Sequence, residues 1–357
     1  MPEVSVVVPL YNKGPYIVRA LNSIANQRYR DFEVIVVNDG STDNSGEIAE
    51  SFPDSRFRVL HQKNAGPGAA RNHGIAEAKG RLIAFLDADD QWFPEYLETA
   101  VRTFDETPKL GALTQGYVDG PDFSPSEALW YGRGFRDGLQ PVESRSALML
   151  HYMIVFMNSQ STVAPTAVVR KYGGFYENRC TYGEDSFLWM KVVLNHPVMF
   201  TFRGSMVIHR EAGDLNFPLR LGRVRPLEPF LAEPQSVIDV CPPHLLPLLQ
   251  SFLTIRAFKT ACAWGYQGDW RRAAEIRRKF RIKEDYRLPW YLSSWVFSTP
   301  IGAGLGAAFR SLKSVRRGFG NEKSPASGPN SDNGITPESH SVPHQPDADL
   351  AGKISHQ

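Results

Sequence analysis

A chain of 357 residues, 42% hydrophobic and 22% charged, is long enough to bury a sizeable core and has the composition of a globular protein. Its formal net charge of +2 supplies no global field for a polyanion, so nucleic acid is not expected as a partner. Cys180, Cys241 and Cys262 share no paired spacing, which argues against a disulfide framework or a structural zinc centre and suits a reducing compartment. Met1-Pro2-Glu3-Val4 lacks the basic flank and apolar run of a signal peptide, so a cytoplasmic location is expected.

Val4 to Leu10 is a continuous apolar run, the pattern of a strand covered on both faces. A helical stretch follows from about Pro15 to Arg28, with proline in its first turn. Phe32 to Val37 reads as a second strand, and Ser41-Thr42-Asp43 offers N-cap chemistry for a helix reaching about Phe52. Phe57 to Leu60 is a short third strand, Ala69 to Ala78 a helix, Leu82 to Leu86 a fourth strand and Pro94 to Phe104 a fourth helix. This alternation predicts an α/β fold, with a mainly parallel sheet flanked by helices.

Leu110 to Val118 is a further strand candidate. Residues 119–145, rich in Gly, Pro, Ser and charge, read as a long loop, either a substrate lid or a surface insertion. Ser161 to Val169 and Val198 to Ile208 read as strands, with a helix over Ser186 to Leu194 between them. Pro242 to Lys283 reads as an amphipathic helical region. No charged residue occurs from Leu288 to Phe309, a stretch holding Trp290, Tyr291 and Trp295 and followed by Arg310, Lys313, Arg316 and Arg317. Its prolines, glycines and serines disfavour a membrane span. Two readings remain, an interfacial element with aromatic and basic anchors or an extra helical lobe. The basic run Arg271, Arg272, Arg277, Arg278, Lys279 and Arg281 is either a solvated helix face or a contact for anionic lipid or a phosphorylated acceptor. From about residue 318 the composition is that of a disordered tail. The expected domains are 1–217, 218–317 and the tail 318–357.

In open parallel sheets the chemistry sits beyond the carboxyl ends of the strands, and three acidic features fall there. Asp87-Ala88-Asp89 follows the fourth strand, and two such carboxylates suit a hard cation, Mg²⁺ or Mn²⁺, shared with a diphosphate. Turn and capping chemistry would use the same residues. Asp39, in Asn38-Asp39-Gly40-Ser41-Thr42-Asp43, is placed to accept from a base or a ribose hydroxyl, or to cap the next helix. Gly66-Pro67-Gly68-Ala69-Ala70-Arg71 lets backbone approach a ligand, and Arg71 is suited to phosphate. Glu184 and Asp185 open a helix, where one carboxylate is placed to act as general base and either is favourable against the helix dipole. His209, after the strand ending at Ile208, is a third metal-ligand candidate or a structural histidine.

Taken together, Val4-Ser5-Val6-Val7-Val8-Pro9-Leu10-Tyr11-Asn12, Val36-Val37-Asn38-Asp39-Gly40-Ser41-Thr42-Asp43, Gly68-Ala69-Ala70-Arg71-Asn72, Phe85-Leu86-Asp87-Ala88-Asp89-Asp90 and Gly183-Glu184-Asp185 resemble the inverting family 2 glycosyltransferases of GT-A fold. The resemblance runs from about Val4 to Asn195. It implies a Rossmann-like GT-A domain over 1–217, with the C-terminal helical extension outside the motifs. It further implies that Pro9, Tyr11 and Asn12 border the nucleoside, that Asp39 contacts base or ribose, and that Arg71 contacts base or phosphates. Asp87 would face ribose or sugar, Asp89 would hold Mn²⁺ or Mg²⁺ on the diphosphate, and Asp185 would be the base with Glu184 orienting it or serving instead. His209 matches only loosely. The implied partners are a nucleotide-sugar donor, UDP-linked by default, and a saccharide or lipid-linked acceptor, with peripheral contact at the cytoplasmic face of a membrane as a further expectation.

The same residues bear on three rival readings. A nucleotide-dependent oxidoreductase needs a glycine fingerprint after the first strand, where this chain has Pro9-Leu10-Tyr11-Asn12. A nucleotidyltransferase needs a basic glycine-rich loop there, and Lys13-Gly14 is a poor version. A non-catalytic nucleotide-sugar-binding protein on the same fold should lack the base or a metal carboxylate, and both are present.

Overall fold

The computed structural model describes residues 1–120, 122–178, 183–212, 227–280 and 288–306. The first strands form where continuous apolar runs were expected. β1 (Val4–Leu10), β2 (Phe32–Asn38), β3 (Phe57–His61) and β4 (Leu82–Phe85) pair in parallel in the order β3-β2-β1-β4, with Val4 opposite Phe32 and Leu82. α1 (Gly14–Ala25), α2 (Ser45–Glu50) and α3 (Pro67–Glu77) are the crossovers. The strand order turns back between β1 and β4, which opens the crevice where ligands bind in such sheets.

The remaining strands extend the sheet beyond β4. β5 (Gln91–Trp92) precedes α4 (Tyr96–Glu106), and β6 (Ala112–Asp119) is followed later by β9 (Thr162–Pro165) and β10 (Val198–Ile208). β9 lies antiparallel between β4 and β6, β10 runs parallel to β6, and β5 closes the order antiparallel to β10. The described sheet is thus mixed but mainly parallel. β1 shows why it is buried on both faces. Val4, Val6, Val8 and Leu10 pack with α1 and α4, whereas Val7 packs on the other side with Ile35, Val37 and Phe85.

Two expected elements differ. The segment read as a long loop holds β7 (Ser124–Pro125), α5 (Glu127–Gly132) and β8 (Gly138–Leu139), and then α6 (Ala147–Phe156). Trp130 and Phe135 are fully buried there against Phe156, Phe200 and Phe202. Two large aromatics anchor a segment whose average composition is that of a loop. The strand expected over Ser161 to Val169 stops at Pro165, and α7 (Thr166–Lys171) follows, because Thr166 Oγ1 donates to Gly80 O at 2.7 Å and turns the chain.

α8 (Glu184–Asn195) packs in the larger core, and α9 (Pro229–Ala232) and α10 (Gln235–Ile238) lie against it. The helical region after Pro242 resolves into α11 (Leu246–Tyr266) and α12 (Trp270–Lys279), broken where Gly268 takes φ +100. α13 (Leu288–Phe297) and helical residues 300–306 follow. α11 packs on α6, and α12 and α13 pack on α11. The boundary expected at 217 and the tail from 318 lie outside the described residues, as does Cys180. Among the described residues no helix is long and apolar enough to cross a membrane.

Candidate active site

The loops after β1 and β2 are joined by hydrogen bonds that the sequence supplies in pairs. Asn12, at φ +51, accepts the Thr42 N–H at 2.8 Å, and its own N–H donates to Ser41 Oγ at 3.1 Å. The Gly14 N–H donates to Asp43 Oδ2 at 3.0 Å, and the Lys13 N–H to Ser45 Oγ at 2.8 Å. Asp43 thus satisfies two helix N-termini at once, its Oδ1 accepting the Ser45 N–H at 3.0 Å, and these donors hold its carboxyl below the ordinary range against the opposing effect of burial. Pro9 is half-buried on this rim and Tyr11 is exposed.

Asp39 is buried, and its carboxylate organises the loop after β3. It accepts from Gln62 Nε2 at 2.8 Å, the Ala65 N–H at 2.9 Å and the Gly66 N–H at 2.9 Å. Gly66 takes φ +95 to present that N–H, a conformation glycine adopts without strain. A carboxylate offers about four acceptor positions, so Asp39 keeps capacity for one further donor.

The centre of the site is Arg71 on α3. Its buried guanidinium donates to Asp87 Oδ1 at 2.7 Å and to Glu184 Oε1 at 2.9 Å, while facing the Phe175 ring at 5.2 Å. The fork therefore clamps the acidic turn after β4 to the N-terminus of α8, 113 residues apart in sequence for Arg71 and Glu184. α3 approaches closely because Gly68 has no side chain, and a Cβ there would meet Tyr176 O at 2.2 Å. Asn72 fastens the same segment, donating to Phe175 O at 2.7 Å and accepting the Phe175 N–H at 2.8 Å.

Asp185 sits beside Glu184 and accepts the Ser186 N–H at 2.6 Å. Burial, reinforced by the neighbouring Glu184 carboxylate and opposed by Arg71, pushes its carboxyl up to about 7. On the acidic turn, Asp89 Oδ2 pairs with Lys13 Nζ at 2.9 Å, and the same ammonium donates to Ala212 O at 2.8 Å. Burial and the nearby Asp87 raise the Asp89 carboxyl, with Lys13 opposing them. Asp90 is buried, and burial with the Asp87 and Asp89 charges raises its carboxyl strongly; Oδ1 accepts the His209 N–H at 2.8 Å. His209 reaches the acidic turn through that backbone bond. Its ring nitrogens lie 2.8 Å from Glu211 Oε1 and 2.8 Å from Gln91 Oε1.

The structure thus joins Asp87, Arg71 and Glu184 by ion pairs, with Asp185 next to Glu184 and Asp89 on the same turn as Asp87, and places Pro9, Tyr11, Asn12 and Asp39 on the loops after β1 and β2. Lys13 is the site residue the sequence reading passed over, weighed only as half of a poor basic loop. Its signal was its place directly after Asn12 in the first strand-to-helix turn. Glu228 and Arg256 also escaped. They form a buried ion pair, with His151 Nδ1 3.1 Å from Arg256, and line a small cavity with Gly183 and Ser186 behind the start of α8.

Residues 5–175 match the family model described as Glycosyl transferase family 2. The chain carries a family 2 glycosyltransferase domain over that segment, in the GT-A arrangement of a mainly parallel sheet flanked by helices. Among curated relatives, the glycosyltransferase EpsH of Bacillus subtilis is 41% identical over 155 residues, covering 38% of this chain and 45% of EpsH. Glycosyltransferase GlyA of Streptococcus pneumoniae is 31% identical over 221 residues, covering 58% of this chain and 30% of GlyA. The chain spans less than half the length of these relatives. Among solved structures, S. aureus TarS 1-349 superposes with a TM-score of 0.58 at 19% identity, covering 89% of this chain and 92% of that one. Its complex with UDP-GlcNAc gives 0.53 at 20% identity. At that identity the likeness shows the fold.

Proposed function

We propose that the chain transfers a sugar from a nucleoside diphosphate donor to a hydroxyl of a saccharide or lipid-linked acceptor, with inversion at the anomeric carbon. The observation that carries this reading is the Arg71 clamp, which ties the acidic turn after β4 to Glu184 at the start of α8, beside Asp185. The donor is taken as UDP-linked, supported by relatives named as glycosyltransferases and by a fold neighbour solved with UDP-GlcNAc.

In this reading Asp185 removes the proton from the acceptor hydroxyl as that oxygen attacks the anomeric carbon, and the nucleoside diphosphate leaves on the opposite face. A carboxyl pushed up to about 7 is suited to that task near neutral pH, where a base is both ionised and basic enough to take a proton. Glu184, tied to Arg71, fixes the start of α8. Asp39 and the Pro9–Asn12 loop border the nucleoside.

The residues fit a divalent cation in part. Asp87 and Asp89 supply hard carboxylate oxygens, and the Lys13 ammonium on Asp89 Oδ2 shows that a positive charge is accommodated there. Among the described residues no group of three His, Cys, Asp or Glu is gathered as a complete cage, so donor oxygens and water would complete the shell. His209 joins it only by giving up Glu211 or Gln91. A bound Mn²⁺ or Mg²⁺ would neutralise charge on the departing diphosphate.

The test is donor turnover, with and without acceptor, across a panel of nucleotide sugars in Mn²⁺ and in EDTA, alongside thermal unfolding. A donor at about 100 times its Kd stabilises the native state by about 2.7 kcal/mol. No stabilisation by any nucleotide sugar in either condition would refute the reading. Full turnover by Asp185→Asn would remove Asp185 from the base role.

A further inference from the structure

Over residues 292–306 of α13 and the helical residues after it, the large apolar side chains other than half-buried Phe297 face outward. Leu292 (50% exposed), Trp295 (53%), Val296, Ile301 (78%) and Leu305 (53%) face solvent. The buried positions of the same stretch are small: Ser294, Ser298, Gly302, Ala303 and Gly306. This inverts the pattern of a helix docked on an aqueous core, where large apolar side chains turn inward. The small residues let backbones approach. A Cβ on Gly265 of α11 would meet Phe297 O, and one on Gly306 would meet Tyr266 O at 2.7 Å. Ser298 Oγ donates to Ser294 O at 2.6 Å, satisfying a buried hydroxyl within the helix. Small residues inward and large apolar residues outward is the packing of helices whose outer medium is lipid.

Charge distribution names the partner. Residues 271–317 carry twelve Lys and Arg against three Asp and Glu, whereas the whole chain is only +2, so the rest of the chain is net negative. Within this stretch Arg271, Arg272, Arg278 and Lys279 are exposed on α12, which packs against α13. A second copy would bring the same positive face and be repelled. A polynucleotide would match the charge and leave the apolar residues in water. An anionic bilayer surface satisfies both, taking the bulky side chains below the headgroups and the basic ones among them. The ten residues of α13 rise about 15 Å, half of a hydrocarbon core of about 30 Å, so the element lies along the interface and does not cross it.

We propose that α12, α13 and residues 300–306 dock the protein on the surface of an anionic lipid bilayer. The assay is co-sedimentation of the full chain with vesicles of phosphatidylcholine alone and with added phosphatidylglycerol, at low and high salt. The expected result is binding to the anionic vesicles that falls about tenfold or more as salt screens the surface charge. Trp295→Ser with Ile301→Ser, and separately Arg271→Glu with Arg272→Glu, should each lower binding by at least about tenfold, with unchanged circular dichroism and nucleotide-sugar binding. Equal binding by parent and both double variants, or no binding to anionic vesicles, overturns the proposal. So does a parent dimer in light scattering that Trp295→Ser with Ile301→Ser dissociates without any vesicle binding, which would make a second copy the occupant. Nucleotide-sugar binding is read in the same preparations, so a failed donor site and a failed docking surface are told apart.

Discussion

Replacing Arg71 by leucine tests the clamp directly. The guanidinium is 5% exposed, Glu184 12% and Asp87 29%. Removing one partner of a buried ion pair costs about 3–5 kcal/mol, because the charge left behind has lost both water and counter-ion. Asp87 is open enough to recover solvation, so its share is close to the ~1 kcal/mol of an exposed pair, and Glu184 dominates. At roughly 2 °C per kcal/mol for a unit of this size, Arg71→Leu should lower the melting temperature by about 6–10 °C at pH 8. Arg71→Leu with Glu184→Gln should recover most of the loss at pH 8, since a neutral amide needs no counter-ion. Differential scanning calorimetry of parent, single and double variants at pH 8 is the assay. An Arg71→Leu variant melting within about 2 °C of the parent at pH 8, or a double variant no more stable than the single, would refute the clamp.

Three further outcomes are expected. Asp185 must be ionised to accept a proton, so kcat/KM should rise with pH through about 7 and then level, and Asp185→Asn should lose both that limb and about 10²-fold or more in turnover; a flat profile in the parent contradicts the assignment. Lys13→Met should tighten Mn²⁺ binding in the absence of nucleotide by on the order of tenfold at pH 8, measured calorimetrically, because the ammonium no longer shares Asp89 with the metal; unchanged binding places the cation elsewhere. Gly68→Ala should destabilise by about 1–3 kcal/mol, as its Cβ would lie 2.2 Å from the backbone oxygen of Tyr176, while Gly132→Ala, with nothing within 4 Å, should not; equal melting temperatures for the two would remove the close-approach argument.

Where one face of an element is covered by a repeating pattern, the sequence was enough to locate it. The runs Val4 to Leu10 and Phe32 to Val37 became β1 and β2 because Val4, Val6, Val8, Leu10, Phe32, Val34 and Val36 enter one core layer and Val7, Ile35 and Val37 the other. Legibility failed where a single residue outweighs its neighbours. Trp130 and Phe135 fix a core position inside a stretch whose average composition reads as solvent-exposed. Thr166-Ala167-Val168-Val169 has strand-like residues, yet a hydrogen bond to Gly80, 86 residues away in sequence, turns it into a helix. The antiparallel insertion of β9 between β4 and β6 is likewise a pairing choice that no local pattern encodes.

The candidate site divides along the same line. Asp39, Asp87, Asp89, Glu184 and Asp185 were found because each follows a strand or opens a helix, and position along the chain suffices for that. Their division of labour depends on partners far away in sequence. Glu184 and Asp185 are adjacent carboxylates on one helical turn, and nothing local separates a base from a support. Arg71 does so in three dimensions: it bonds Glu184, whereas among the described residues Asp185 accepts from the Ser186 N–H and hydroxyl. One carboxylate is thereby tied to the guanidinium as a strut, and the other is left half-buried beside it, where its affinity for a proton rises. That asymmetry, set by an arginine on α3, is what gives Asp185 the base role in the proposed transfer and Glu184 the supporting one.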